Sequence, residues 1–322
     1  MYARSVAAVT VDPQYRAATE GAALLDRSQA GKLALSGPGA IEFLDSVLSN
    51  DIAALVPGAG LAAALLTHNG RMLAEVRVLR TDEELLLDTE RVALQALFDA
   101  LHRFRLGYDA QLHKRTVQCG LLSLIGPAAG GVLADEPGTA EHDHLPAVLA
   151  GRAVRLIRTD AGVDVLCAAE DTAAVADELV AGGATVIEEA TAETVRIECG
   201  RPRFGVEIDE GTMPQEAGLH ERVVSYTKGC YIGQETVARL YWKGRPNRHL
   251  RGLRLSEPAL PGAELTLGGR PVGTLGSFAD SPRLGPIGLA LVRREAEPGA
   301  VLTLTGAEVS ATVVELPFSV RS

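Results

Sequence analysis

The stretch PNRHLRGLRL, residues 246–255, is where the chain changes texture, and that change decides the fold. Downstream of it the sequence breaks into short runs rich in Val, Leu and Thr: RHLRGLRL, AELTLGG, RPVGTLGSFA, IGLALVRR, AVLTLTG and EVSATVVELPF. Gly and Pro separate them. Short alternating runs punctuated by turn residues, within about 75 residues, predict a small antiparallel barrel or sandwich.

Upstream, helical and strand periods mix. KLALSG alternates Leu33 with Leu35 and reads as a strand. In GPGAIEFLDSVLSNDI, Ala40, Phe43, Leu44, Val47 and Leu48 share one helical face, with Pro38 near the helix start. LAAALL and RMLAEVRVLR read as strands joined at Thr67-His68-Asn69-Gly70, a strong hairpin signal. ELLLD follows as a strand, and Leu94, Leu97, Phe98 and Leu101 then line a helix, giving a strand–strand–strand–helix unit. Further on come a strand at 116–125, a soft Gly/Ala/Pro region at 126–151, and strands at 152–159 and 163–168 around Asp160-Ala161-Gly162. EDTAAVADELVAGG reads as a helix stopped by its glycines. TAETVRIECGRP is ambiguous in period; Gly200 and Pro202 favour a short helix, with Thr191 as its cap. The fold class is therefore α+β. An α+β region at 1–245, holding two intertwined subdomains (one near 51–110), precedes a β-barrel domain at 246–322.

Bulk properties exclude several classes. A chain of 322 residues is too long for one small core, and 47% apolar content excludes global disorder. No apolar run reaches membrane-span length, and the N-terminal stretch lacks the apolar centre of a secretory signal, so a cytoplasmic protein with no membrane partner is expected. A net charge of −10 argues against nucleic-acid binding by the whole surface, though not by a local basic patch. Cys119, Cys167, Cys199 and Cys230 form no CxxC pair and read as reduced thiols, Cys119 and Cys167 in apolar core surroundings. His142 and His144, in EHDHL, read as a solvated loop, and no metal site is expected.

The chemistry concentrates between residues 196 and 254. In YTKGCYIGQE, residues 226–235, Cys230 follows Lys228-Gly229 and precedes a helix starting near Gly233, with Val237, Leu240 and Tyr241 on one face. A helix N-terminus and a nearby ammonium both favour a thiolate. A tight turn with the thiol packed inward is the competing reading. Arg239, Lys243, Arg245, Arg248, Arg251 and Arg254 follow with no intervening acid. This basic run suits ligand carboxylates or phosphates. It could also bind RNA, with only Tyr241 and Trp242 for stacking, or be a solvated linker. Glu198 suits a bidentate grip on the N–H edge of a heterocycle, or a plain surface pairing.

The run from Val195 to Leu253 resembles the YgfZ-type folate-binding proteins of the aminomethyltransferase (glycine-cleavage T-protein) superfamily. The hallmark is Lys228-Gly229-Cys230-Tyr231-Ile232-Gly233-Gln234, followed by Glu235, with P-x-E-A-G-L at Pro214–Leu219. LDRSQAGKLALSGPGAIEFLDSVLSNDI, LLTHNGRMLAEVRVLR and RPVGTLGSFADSPRLGPIGLALVRR are similar to other parts of that superfamily. The resemblance implies three domains in a cloverleaf around a central folate channel, closed by a C-terminal barrel. It implies tetrahydrofolate as cofactor, with Glu198 on the pterin and Tyr231 and Gln234 beside it. Arg239 and Arg248 are assigned to the folate carboxylates, and Cys230, with Lys228, to the functional thiol.

The function so implied is an accessory factor for assembly or maintenance of iron–sulfur proteins, linked to tRNA modification. It would act as a monomer with iron–sulfur client or assembly partners. The competing function is a folate-dependent aminomethyl or one-carbon transferase, for which Asp88 is the positional candidate. A third reading is an RNA-binding module at 239–254, with tRNA as partner.

Overall fold

The computed structural model describes residues 12–306 and 308–318; the first eleven residues of the N-terminal stretch read above for targeting lie outside the described residues. Helix α1 (Pro13–Glu20) and strand β1 (Ala23–Asp26) come first. Then come β2 (Gly31–Ser36), α2 (Ala40–Val47), β3 (Gly60–Leu66), β4 (Met72–Arg80), β5 (Glu84–Thr89), α3 (Leu94–Phe104) and β6 (Gln111–Lys114). These strands form one sheet in the order β3-β4-β5-β2-β6. Its core face is packed by Phe43, Leu44 and Val47 of α2 and Leu97 and Leu101 of α3, all buried. Leu48 of the same apolar pattern is buried too, although the helix ends before it.

A second sheet draws on β1 and on β7 (Cys119–Ile125), β8 (His144–Leu149), β9 (Arg152–Thr159), β10 (Gly162–Ala168) and, after α4 (Thr172–Ala181), β11 (Thr185–Val186). Its order is β11-β1-β7-β10-β9-β8, so the chain enters this sheet, leaves to build the first, and returns. Helices α5 (Glu189–Glu198), α6 (His220–Val223) and α7 (Gln234–Lys243) then lead to β12 (Arg248–Leu255), β13 (Glu264–Leu267), β14 (Arg270–Ser281), β15 (Gly285–Arg293), β16 (Val301–Leu304) and β17 (Ser310–Val314). These six close into a barrel in the order β12-β15-β14-β13-β16-β17. Leu253, Leu265, Val292, Leu302 and Val313, contributed by five different strands, fill its interior. The strands expected after Pro246 are thus the staves of a closed barrel, whose closure leaves no open sheet edge.

Several local expectations change. The soft region at 126–151 contains β8, which pairs antiparallel with β9 and carries His144 inward. His142 and His144 are buried, not solvated. A Pro within this strand is tolerated because β8 is the sheet edge, where a missing N–H breaks no ladder bond. The strand expected from 116 begins at Cys119, which is half-buried, whereas Cys167 is buried. Helix α5 starts at Glu189 rather than after Thr191. Its N-cap Glu188 gives its N–H to the side chain of Gln14 on α1 at 2.8 Å, so a tertiary partner takes the place of the local cap.

The hairpin read at Thr67–Gly70 forms and docks on the segment holding Cys230. Gly70 (φ 74°) and Gly233 (φ 85°) both adopt left-handed backbone, and they face each other. A Cβ on Gly233 would lie 2.4 Å from the carbonyl oxygen of Thr67 and 3.3 Å from the Cα of Gly70. Only glycine permits that approach.

Candidate functional site

A cavity of about 270 Å³ lies between the two sheets. Strand alternation builds its walls. Along β4, Met72, Ala74, Val76 and Val78 face the core, which turns Glu75 and Arg77 to the other side. Along β5, Leu85 and Leu87 are in the core and Asp88 faces the cavity. On the opposing sheet Val163 and Val165 are in the core, and Asp164 of β10 faces the cavity beside Ser123 of β7. His142, Glu141, Asp160, Arg27, Arg222, Thr89, Glu90 and Thr159 complete the polar lining.

Arg77 organises this wall. Its Nε donates to Asp88 Oδ2 at 2.7 Å on its own sheet, and its Nη1 donates to Asp164 Oδ2 at 2.6 Å across the cavity. Ser123 Oγ donates to the other oxygen of Asp164 at 2.6 Å. Burial pushes the Asp88 carboxyl up, and the Arg77 guanidinium beside it pulls it down; the net direction is upward. Burial likewise raises the Glu75 carboxyl. His142 is pushed down to about 3, first by burial and then by Arg77 and Arg222, so its ring is neutral. His144, pushed down to about 4 by burial and Arg155, is neutral as well.

Of the residues nominated from the sequence, only Asp88, the candidate of the transferase reading, lines this cavity. Glu198, at the end of α5, is buried with both carboxylate oxygens engaged. Tyr15 Oη donates to Oε1 at 2.7 Å, Ser281 Oγ donates to the same oxygen, and Arg283 Nη2 reaches Oε2 at 3.0 Å. Glu198 thereby joins α1, α5 and the barrel strand β14.

Lys228 is a structural clasp. Its side chain is 1% exposed, and its ammonium donates to Asp45 Oδ1 at 2.9 Å and to the carbonyls of Leu48 at 3.1 Å and Asn50 at 2.8 Å. The C-terminal end of α2 is negative, so these acceptors hold the cation and point it at α2 rather than at the thiol. Burial lowers the Lys228 ammonium, and Asp45 opposes that shift. Cys230 is exposed, with no hydrogen-bond partner among the described residues. Tyr231 next to it is buried, with its hydroxyl unpartnered. Gln234 opens α7.

Part of the basic run is consumed within the protein. Arg248 forms a two-pronged pair with Glu216 at 3.1 and 2.8 Å, and Arg251 pairs with Glu315 at 2.7 Å. Arg239, Lys243 and Arg245 remain exposed, beside Tyr241 and Trp242. A groove of about 420 Å³ adjoins the cavity through Arg222, which lines both, and adds Arg201 and Arg251. Among the described residues no group of His, Cys, Asp and Glu is arranged to hold a metal ion, and no helix is long and apolar enough to cross a membrane.

Residues 1–228 match the GCVT N-terminal domain, and residues 248–319 match the glycine cleavage T-protein C-terminal barrel domain. An aminomethyltransferase of Streptomyces coelicolor is 29% identical over 324 residues, covering 93% of this chain and 87% of the relative. A chloroplastic protein of Arabidopsis thaliana, whose name places it among transferases, is 27% identical over 312 residues, covering 94% and 72%. The crystal structure of glycine cleavage system aminomethyltransferase T from Bartonella henselae superposes with a TM-score of 0.85 at 24% identity, over 95% of this chain and 88% of that one. The architecture is therefore the aminomethyltransferase-like fold with its closed C-terminal barrel.

Proposed function

The chain belongs to the glycine-cleavage T-protein family, and from that premise we propose that it is a tetrahydrofolate-binding accessory factor for iron–sulfur proteins, of the YgfZ type. The fit of a folate to the cavity is supported by buried groups left without hydrogen-bond partners there: both ring nitrogens of His142 and the Nε of Arg27 and of Arg222. At about 270 Å³ the cavity is at the lower edge of ligand-sized pockets. It suits the heterocycle, with the glutamate tail passing to the groove of Arg201, Arg222 and Arg251, which would exchange their present partners Asp160, Glu141 and Glu315 for it. Arg239 and Arg248, first assigned to that tail, would meet it only on the outer surface or after Arg248 releases Glu216. Glu198 as pterin anchor would have to exchange donors it already holds. Bound folate supplies ring nitrogens that carry one-carbon units; the protein's own residues bind and orient it and exclude water.

The observation that carries the accessory role is the placement of Cys230. Its thiol is exposed on a loop clasped by Lys228 and pinned by the Gly70–Gly233 contact, outside the cavity lining. Such a thiol is offered to a partner macromolecule. One cysteine supplies one of the four ligands that a cluster usually takes, so a cluster contact is shared with a client. The test is complementation of an iron–sulfur-maintenance defect by wild type and by Cys230→Ala. The reading expects rescue by wild type only; full rescue by the variant contradicts it.

One observation favours the transferase reading instead: Asp88 lines the cavity and is held by Arg77. A carboxylate raised by burial suits proton transfer at a bound ring nitrogen. Turnover of an aminomethyl donor with tetrahydrofolate, abolished by Asp88→Asn and indifferent to Cys230→Ala, would select it.

A further inference from the structure

Helix α7 and strand β12 border a second pocket, of about 410 Å³, which shares no lining residue with the cavity between the sheets. Its volume is that of a small-molecule site. Three buried polar atoms on its lining have no hydrogen-bond partner among the described residues: Oε1 of Gln215, Nδ1 of His220 and Nε of Arg251. They come from three parts of the chain, the loop after α5, helix α6 and strand β12. Gln215 is 6% exposed, and its Nε2 donates to the Val237 carbonyl at 2.9 Å. That bond fixes the amide and leaves its oxygen as a free acceptor. Buried polar groups in native proteins are nearly always bonded, so three exceptions lining one pocket point to a partner from outside the chain.

The lining restricts that partner. Arg251 Nε donates, Gln215 Oε1 accepts and an imidazole nitrogen does either, so the occupant carries both acceptors and donors. The charges inside are already answered: Arg248 pairs Glu216, Glu315 pairs Arg251, and burial, then Arg251, pushes His249 towards its neutral ring. The enclosed part of the occupant is therefore neutral. The aromatic walls are flat. Tyr241 stacks on Tyr226 at 3.9 Å and 20°, and the His220 ring stands 6.0 Å from it. Such surfaces suit a planar ring. The mouth is cationic. Gly244 and Pro246 line the pocket, and they alternate with Lys243 and Arg245, both exposed and without an ion pair among the described residues. Each cation is one residue, about 3.8 Å along the chain, from the lining, so an anionic group follows the ring after a short link. A neutral planar ring with donors and acceptors, joined closely to an anion, is a nucleotide. We propose that this pocket is a nucleotide site, the base lying by Tyr241 and bonded to Gln215, His220 and Arg251, the phosphate at Lys243 and Arg245. Free mononucleotides and unstacked nucleotides of single-stranded RNA share that chemistry. The proposal is independent of the folate reading. The pocket meets the groove assigned to the folate tail at Gly218, Leu250 and Arg251, so tetrahydrofolate enters the test as a competitor.

Trp242, the one tryptophan of the chain, meets the Tyr241 ring edge-on at 4.8 Å and reports on the site. The experiment is calorimetric titration of AMP, GMP, CMP and UMP into the full chain, with Trp242 emission followed in parallel. It is repeated with the matching nucleosides, with a short single-stranded RNA of mixed sequence, and with protein first saturated with tetrahydrofolate. Saturable binding that shifts the Trp242 emission is expected. Lys243→Ala and Arg245→Ala, both at the exposed rim, each weaken the nucleotide about 2- to 10-fold and leave the nucleoside within about twofold. His220→Phe keeps a ring beside Tyr241 and removes Nδ1, so it weakens nucleotide and nucleoside alike, about 2- to 10-fold. RNA binding about tenfold or more tighter than any mononucleotide identifies RNA as the source; equal or weaker binding identifies the free nucleotide. No saturable binding of the four nucleotides or the RNA overturns the proposal, as does binding indifferent to all three substitutions. Loss of nucleotide binding in the tetrahydrofolate-saturated protein overturns it too, by giving the pocket to the folate tail. Each of these failures leaves the folate reading standing.

Discussion

Arg77 and Asp164 sit on different sheets, and the 2.6 Å bond between them spans the cavity. Arg77 also holds Asp88, so one guanidinium balances two carboxylates in a nearly dry wall. Removing it strands both. Arg77→Met is expected to lower stability by about 3–5 kcal/mol in urea unfolding, the cost of leaving buried charges unpaired. An unchanged midpoint would show that the two sheets do not depend on this link.

Lys228 and the end of α2 form the second such dependence. Lys228→Met removes the ammonium that bonds Asp45 and the carbonyls of Leu48 and Asn50, leaving Asp45 only the N–H groups of Ile52 and Ala53. The expected loss is about 3 kcal/mol, with faster amide exchange across residues 226–233. Retained protection there would mean that the loop carrying Cys230 is held by other contacts.

Gly233 supports the same loop by its absence of a side chain. Gly233→Ala places a Cβ 2.4 Å from the Thr67 carbonyl oxygen in a left-handed backbone. A loss of roughly 1–3 kcal/mol follows from the backbone strain alone, and thermal unfolding measures it. Stability equal to wild type would show that the hairpin tip moves away freely.

Two buried histidines set a pH dependence. In the fold His142 titrates near 3 and His144 near 4, while each titrates near 6.5 in the unfolded chain. Between those values the unfolded state binds more protons, so this contribution is complete above about 6.5 and is lost as the pH falls towards 3. His144 shows why: its Nδ1 accepts from Arg155 at 2.8 Å, and a proton there would face the guanidinium. Asp88 and Glu75, raised by burial, act in the opposite sense. The comparison is therefore wild type against His142→Asn. The variant's unfolding free energy should fall less between pH 6.5 and pH 4, by roughly 1–3 kcal/mol; parallel curves would contradict it.

Elements with a clean period were legible in the sequence, and the barrel was the clearest of them, because each strand announces itself by alternation and a turn. Helix α2 and the Asn69-Gly70 hairpin were legible for the same reason. β8 was not, since its buried position is filled by His144 and an edge position by Pro146. Asp88 apart, the cavity wall was not legible from the motifs although its signal was present. Glu75 and Arg77 recur every second residue within an otherwise apolar strand, and Asp164 sits between Val163 and Val165. A strand with one apolar and one charged face is covered on both sides only if the charged face meets something polar. The residues that stood out by motif, Lys228 to Gln234, mark a loop whose main visible order is mechanical: a clasped lysine and a glycine contact that present Cys230.

The account rests on tetrahydrofolate occupying the space between the two sheets. Hydrogen–deuterium exchange of the full chain with and without saturating tetrahydrofolate tests this most directly. Protection of residues 74–78, 86–90, 140–143 and 162–166 is predicted, because these segments carry the cavity walls. Protection confined to residues 226–245, or none at all, would contradict it.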